Sequence, residues 1–180
     1  MASPTELDDL NSGQRVAFST TGGDTLEVDL FVRPGGYARA HAHPSQEETF
    51  SGVSGTFVLE VGGQTRTIGP GESVTVPAGT RHGFGPAGEE AQLRVTVRPP
   101  LRLEGCWRAF LGLGRDGKLR TPLGGLPRPF LQFAVVMDRY QAEMAAPGFP
   151  LALQRLLWRL LASLGRRRGY RDSFPEYGAA

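Results

Sequence analysis

The chain has 180 residues, 39% of them hydrophobic and 21% charged, which excludes a disordered chain and suffices for a core without disulfide staples. At roughly 150 residues per domain it holds one domain with a remainder. Its 25 Gly and 14 Pro favour short elements joined by tight turns over a helical bundle, and the single Cys106 excludes an internal disulfide framework.

In chain order, the first clear element is residues 25–33, where Leu26, Val28, Leu30 and Val32 alternate with Glu27, Asp29 and Phe31. Further β-rich runs are expected at 37–43, 49–53, 56–61, 64–68, 73–76 and 91–97. Turn signals divide them: Pro34-Gly35-Gly36, Ser54-Gly55, Gly62-Gly63, Gly69-Pro70-Gly71, Pro77-Ala78-Gly79 and Pro86-Ala87-Gly88. Strands this short and this regularly spaced predict a barrel or sandwich, with Val74, Val76, Leu93, Val95 and Val97 in its core.

The pattern changes at Arg98-Pro99-Pro100. Leu103, Trp107, Phe110 and Leu111 share a helical face, and Cys106 between them reads as packing. After a Gly/Pro loop at 121–129, a stripe from Phe130 to Met144 predicts a second helix, stopped by Pro147-Gly148. A third follows Pro150, with Leu153, Leu156, Leu157, Leu160, Leu161 and Leu164 as a broad apolar face and Gly165 as its end. Charge divides at the same place. Residues 1–100 hold seven Arg against twelve Asp and Glu, whereas residues 101–180 hold twelve Arg and one Lys against six. We therefore expect a β-barrel domain over 1–100 and a helical extension over 101–180. The extension is expected to pack on the barrel or on a second subunit, giving a homodimer. Its Leu face beside Arg166-Arg167-Arg168 also fits a membrane-surface helix, which we rank second. Nucleic-acid binding is not expected, since only Tyr170 and Phe174 interleave the basic run.

No apolar stretch reaches the roughly 20 residues of a membrane span, and the acidic opening MASPTELDDL lacks the apolar run of a secretory signal; the expected location is cytoplasmic.

All three histidines lie in the strand-rich half. His41 and His43, two apart, leave one face of a strand; Glu48 follows, and His82 comes after the Pro77-Ala78-Gly79 turn. Imidazole and carboxylate donors without thiolates suit a first-row transition ion and not a structural Cys-type zinc site. Strand parity puts Tyr37 and Arg39 on the face of His41, Phe50 on that of Glu48, Phe84 on that of His82, and Glu47 on the opposite face.

These residues fall into two spaced motifs. Gly35, His41, His43, Glu48 and Gly55 match the first motif of the cupin superfamily, and Gly71, Pro77, Gly79 and His82 match the second, with Pro86 where that motif has Asn. The resemblance covers roughly residues 25–98. It implies a mainly β fold, a cupin-type barrel (a double-stranded β-helix, or jelly roll) with a C-terminal α-helical extension. It also implies one divalent transition metal ion (Fe, Mn, Ni, Zn or Cu) held by His41, His43, Glu48 and His82. The extension is similar to tails of uncharacterized small bacterial cupin-domain proteins, which imply no activity.

The expected function is a mononuclear metalloenzyme acting on a small organic substrate, by dioxygenase-like chemistry or as a Lewis-acid isomerase, cyclase or hydrolase. Tyr37, Arg39, Phe50 and Phe84 are the candidate substrate-side residues. Arg39 fits either an anionic substrate group or a pairing with an acidic neighbour at the barrel mouth. The alternative is a non-catalytic cupin that binds or senses a small ligand.

Overall fold

The computed structural model describes residues 5–85 and 87–179. Pro86, at the position of the motif's Asn, lies outside the described residues. Among the described residues, ten strands form two antiparallel sheets. The larger sheet has the order β1-β2-β3-β10-β5-β8: β1 (Glu6–Asp9), β2 (Gln14–Gly22), β3 (Thr25–Val32), β10 (Ala91–Arg98), β5 (Glu47–Ser54) and β8 (Ser73–Val76). The smaller has the order β4-β9-β6-β7: β4 (Ala38–His41), β9 (His82–Phe84), β6 (Phe57–Val61) and β7 (Gln64–Ile68). Three helices follow, α1 (Leu103–Arg115), α2 (Phe130–Arg139) and α3 (Leu151–Arg167), then a short 3-10 turn at Pro175–Tyr177.

Register explains why the central strands meet as they do. On β3, Leu26, Val28, Leu30 and Val32 are buried, and on β10 so are Ala91, Leu93, Val95 and Val97. The pairing sets Leu93 opposite Leu30, Val95 opposite Val28 and Val97 opposite Leu26, so one face of both strands is apolar. A slip of one residue would turn that whole set to solvent.

Three expectations need correction. β1 and β2 precede the first predicted strand. β1 is short, with Leu7 and Asp9 as its buried residues, and Asn11 Nδ2 ties its end to the Gly114 carbonyl of α1 (2.7 Å). α2 stops at Arg139 and not at Met144. Residues 140–144 instead turn, so that Ala145 exchanges backbone hydrogen bonds with Ala42 (3.0 and 2.9 Å). Nor does Gly165 end α3. A Cβ there would lie 2.6 Å from Val135, so the glycine marks the close approach of α3 to α2. The helix runs on to Arg167, and Gly169, with a φ of +86°, takes the left-handed position beyond its end.

One buried apolar cluster runs from the sheets into α1 through Leu103, Cys106, Ala109 and Leu113. α3 lies against α2 through Trp158, Ala162 and Gly165, and Gln154 caps the 146–149 turn. The Leu face of α3 is therefore not spent on the barrel; Leu156 and Leu160 stand 55% and 62% exposed. No helix among the described residues is long and apolar enough to cross a membrane.

Candidate metal centre

His41 ends β4 and lies in register with His82, the first residue of β9. His43 follows in the connection to β5. There Glu47 is exposed and Glu48 is buried, and Glu48 sits opposite Val97 on β10 and Val76 on β8. The turn of the second motif closes onto the first, since the Gly79 N–H donates to the His43 carbonyl (2.7 Å). Gly79 has φ +75°, a left-handed conformation that a side chain would strain.

The four side chains converge, with one ligand-type atom from each of His41, His43, Glu48 and His82 lying within 4.8 Å of all the others. Glu48 Oε2 is 2.9 Å from His82 Nε2 and 3.3 Å from His43 Nε2. The backbone decides which ring nitrogens carry protons. His41 Nδ1 lies 2.7 Å from the Arg39 carbonyl, His43 Nδ1 2.6 Å from that of Glu143, and His82 Nδ1 2.9 Å from that of Thr80. A carbonyl oxygen only accepts, so each Nδ1 is the donor and each Nε2 of the neutral ring presents a lone pair inward. This is why the short contacts to Glu48 are not hydrogen bonds in the neutral state. His43 Nε2, His82 Nε2 and Glu48 Oε2 are buried and lack a hydrogen-bond partner.

Electrostatics agree. Burial pushes His41 down to about 3, with the neighbouring imidazoles adding to it, so this ring stays neutral. Burial would raise Glu48, but attraction from His43 and His82 outweighs it and holds the carboxyl well below its ordinary range. Burial likewise opposes protonation of His43, and Glu48 overcomes it and raises that ring. A carboxylate and three imidazoles, with His43 Nε2, His82 Nε2 and Glu48 Oε2 buried and unpartnered, match the donor set of a divalent transition ion. The residues present fit the metal that the motifs imply.

Tyr37, Arg39, Phe50 and Phe84 line a single cavity of about 710 Å³ together with His41, Glu48 and His82. Phe84 and Phe50 flank Phe57, with ring centroids 4.7 and 6.2 Å away. Arg39 differs from expectation. Its Nη1 donates to the carbonyls of Pro122 (2.6 Å) and Gly125, not to an acidic neighbour, while Tyr37 Oη donates to the Thr121 carbonyl (3.2 Å). Both residues strap the 121–129 loop across the cavity. Cys106 is fully buried, and burial pushes its thiol well up, as suits packing.

Sequence reasoning missed the part that the extension plays at this centre. The Ala42–Ala145 bridge sits between His41 and His43, and the Glu143 carbonyl fixes the His43 ring. The Glu143 side chain is itself held by Arg102 (3.1 Å). A backbone carbonyl 100 residues from its histidine leaves no mark in sequence spacing.

The description "Cupin domain" belongs to the family model that matches residues 29–98. An uncharacterized protein of Streptomyces coelicolor is 31% identical over 75 residues, covering 42% of this chain and 71% of the relative. The chain belongs to the cupin superfamily. Among solved structures this cupin is similar to KdgF from Halomonas sp. (22% identity, 52% of this chain and 84% of that one, TM-score 0.48). It is also similar to an RmlC-like cupin from Shewanella frigidimarina (24% identity, 54% and 86%, TM-score 0.49). Both likenesses concern the fold.

Proposed function

We propose that this cupin is a metal-dependent enzyme that acts on a small organic molecule bound in the cavity beside His41, Glu48 and His82. The observation that carries the reading is the fixed tautomer of all three imidazoles, with the Nε2 atoms of His43 and His82 set against the Glu48 carboxylate and His41 in the same cluster, in a site that opens onto a cavity. When bound, the ion would supply Lewis acidity, or oxygen activation if it is redox-active. The chain's own residues hold and shield the reacting group. The Arg39 carbonyl and the Glu143 carbonyl keep two rings in place, Phe50 and Phe84 exclude water, and Glu48 is an ionised carboxylate at the cavity wall.

The test is elemental analysis and turnover on purified protein. Stoichiometric metal, with oxygen uptake or isomerisation on candidate enols, diketones or catechols, supports the reading. His41→Ala combined with His43→Ala should abolish metal while leaving a folded barrel; full occupancy in that variant refutes the ligand assignment. A second reading is a ligand-binding cupin without turnover. It is favoured by the engagement of Tyr37 and Arg39 with loop carbonyls, which leaves neither side chain turned to chemistry. Metal and ligand binding without product would select it.

A further inference from the structure

We infer that the molecule this cavity takes has an extended apolar body and a small polar head, and is not a sugar or other polyol. The inference rests on the metal-site reading for the head alone; the body is argued from the walls. At about 710 Å³ the space is that of a drug-sized ligand. On the barrel side its walls are Val28, Leu30, Leu59 and Val95, and on the extension side Trp107, Phe110, Phe130, Phe133, Met137 and Met144. The mouth lies at Leu126 and Phe149, which are 68% and 63% exposed. Phe110, Phe130, Phe133 and Trp158 form one aromatic group, with centroid separations of 5.7 to 6.3 Å. All but Trp158 are only partly buried although they pack on the core clusters. Their remaining apolar surface faces the cavity.

The polar lining decides the class. Away from the metal cluster, most polar side chains of the wall already have partners within the protein. Ser12 donates to Asp9 (2.8 Å), which also accepts from the Asn11 N–H (2.9 Å), and Gln14 donates to the Tyr37 carbonyl (2.6 Å). Tyr37 and Arg39 donate to loop carbonyls. A ligand with several hydroxyls would shed its hydration against Phe and Leu and find few partners, at a cost per group that apolar contact does not return. An apolar body gains from each methylene buried, and its polar head can go to His41, Glu48 and His82. The helical extension is thus the wall that selects the ligand as well as a cover.

Trp107 and Trp158 both line the cavity and are the two tryptophans of the chain, so intrinsic fluorescence reads its occupancy. The protein, as purified and after chelation, would be titrated with straight-chain alkan-1-ols from hexanol to dodecanol, and with glucose 6-phosphate. The expected Kd falls about fourfold for each added methylene, in both forms, until the cavity is filled. Glucose 6-phosphate should leave the emission unchanged. Leu126→Asp and Phe149→Asp alter exposed mouth residues and spare the core; each should raise the dodecanol Kd at least several-fold. A Kd independent of chain length, saturable binding of glucose 6-phosphate, or unchanged dodecanol affinity in both mouth variants overturns the inference. Loss of the metal reading shows separately: an intact chain-length series in a protein that holds no metal removes the centre and leaves the apolar site standing.

Discussion

Replacing Glu48 by Gln keeps the size of the side chain and removes its charge at the point where three imidazole lone pairs meet. The carboxylate is 3% exposed and lies 2.9 Å from His82 Nε2 and 3.3 Å from His43 Nε2. In the metal-free protein the Gln amide can donate to one of these nitrogens, so the barrel should stay folded. With metal the substitution removes a donor and the cluster's negative charge. Loss of a group that merely orients a ligand weakens metal binding roughly 10–100-fold, so loss of this direct donor should cost at least about 100-fold. At a metal concentration about 100 times the wild-type Kd, the wild type gains about 2.7 kcal/mol of stability, whereas the variant gains about 0.4. The difference corresponds to roughly 5–9 °C in melting temperature for a chain of this length. The assay is thermal unfolding with and without metal, together with elemental analysis after gel filtration. Glu47, one position earlier and exposed opposite Arg98, serves as the control: Glu47→Gln should change metal affinity less than about threefold. Stoichiometric metal and an undiminished metal-induced shift in Glu48→Gln would refute the assignment. If Glu47→Gln lost the metal instead, the inward and outward faces of β5 would be exchanged.

Two further outcomes are expected. Burial opposes ionisation of Asp116, but hydrogen bonds from Tyr177, Lys118 and Arg115 outweigh it and hold the carboxyl at about 2, below its ordinary value of 3.8. Its stabilising contribution is therefore complete above about pH 4 and is lost as the pH falls through about 2. Asp116→Asn should cost up to about 2 kcal/mol at pH 7 and progressively less below pH 4, as read by urea unfolding at each pH. On α3, Leu153, Leu157, Leu160 and Leu164 are exposed and follow the three-and-four spacing of a helix-pairing seam, which a second copy can match across a two-fold axis. Leu157→Glu combined with Leu160→Glu should move the solution mass from dimer to monomer by light scattering. An unchanged mass would refute a homodimer through this seam, and co-sedimentation of the parent protein with anionic vesicles would assign the face to a lipid surface.

The residues that carry the metal centre were legible because their geometry is local. Alternation on a strand puts Glu47 and Glu48 on opposite faces, the cupin motif marks Glu48 as the inward one, and the spacing of His41 and His43 needs no partner to bring them near each other. The period of Leu26–Val32 likewise dictates a buried face wherever that strand pairs. Where the outcome depended on what packs against what, the sequence was silent. β1 became a strand through its pairing with β2 and its contact with α1, although its own four residues carry little pattern. α3 has enough leucine to bury either face. Packing chose the face with Trp158, Ala162 and Gly165, because small residues let α3 approach α2 closely and the indole completes an aromatic group. The ring of His43 is fixed by the Glu143 backbone, and any residue type has a carbonyl to offer, so no side-chain code could announce it. The aromatic stripe of α2 reads as ordinary core in one dimension. It became a cavity wall because the helices stand off from the open end of the barrel, and that distance is set by tertiary packing, not by periodicity.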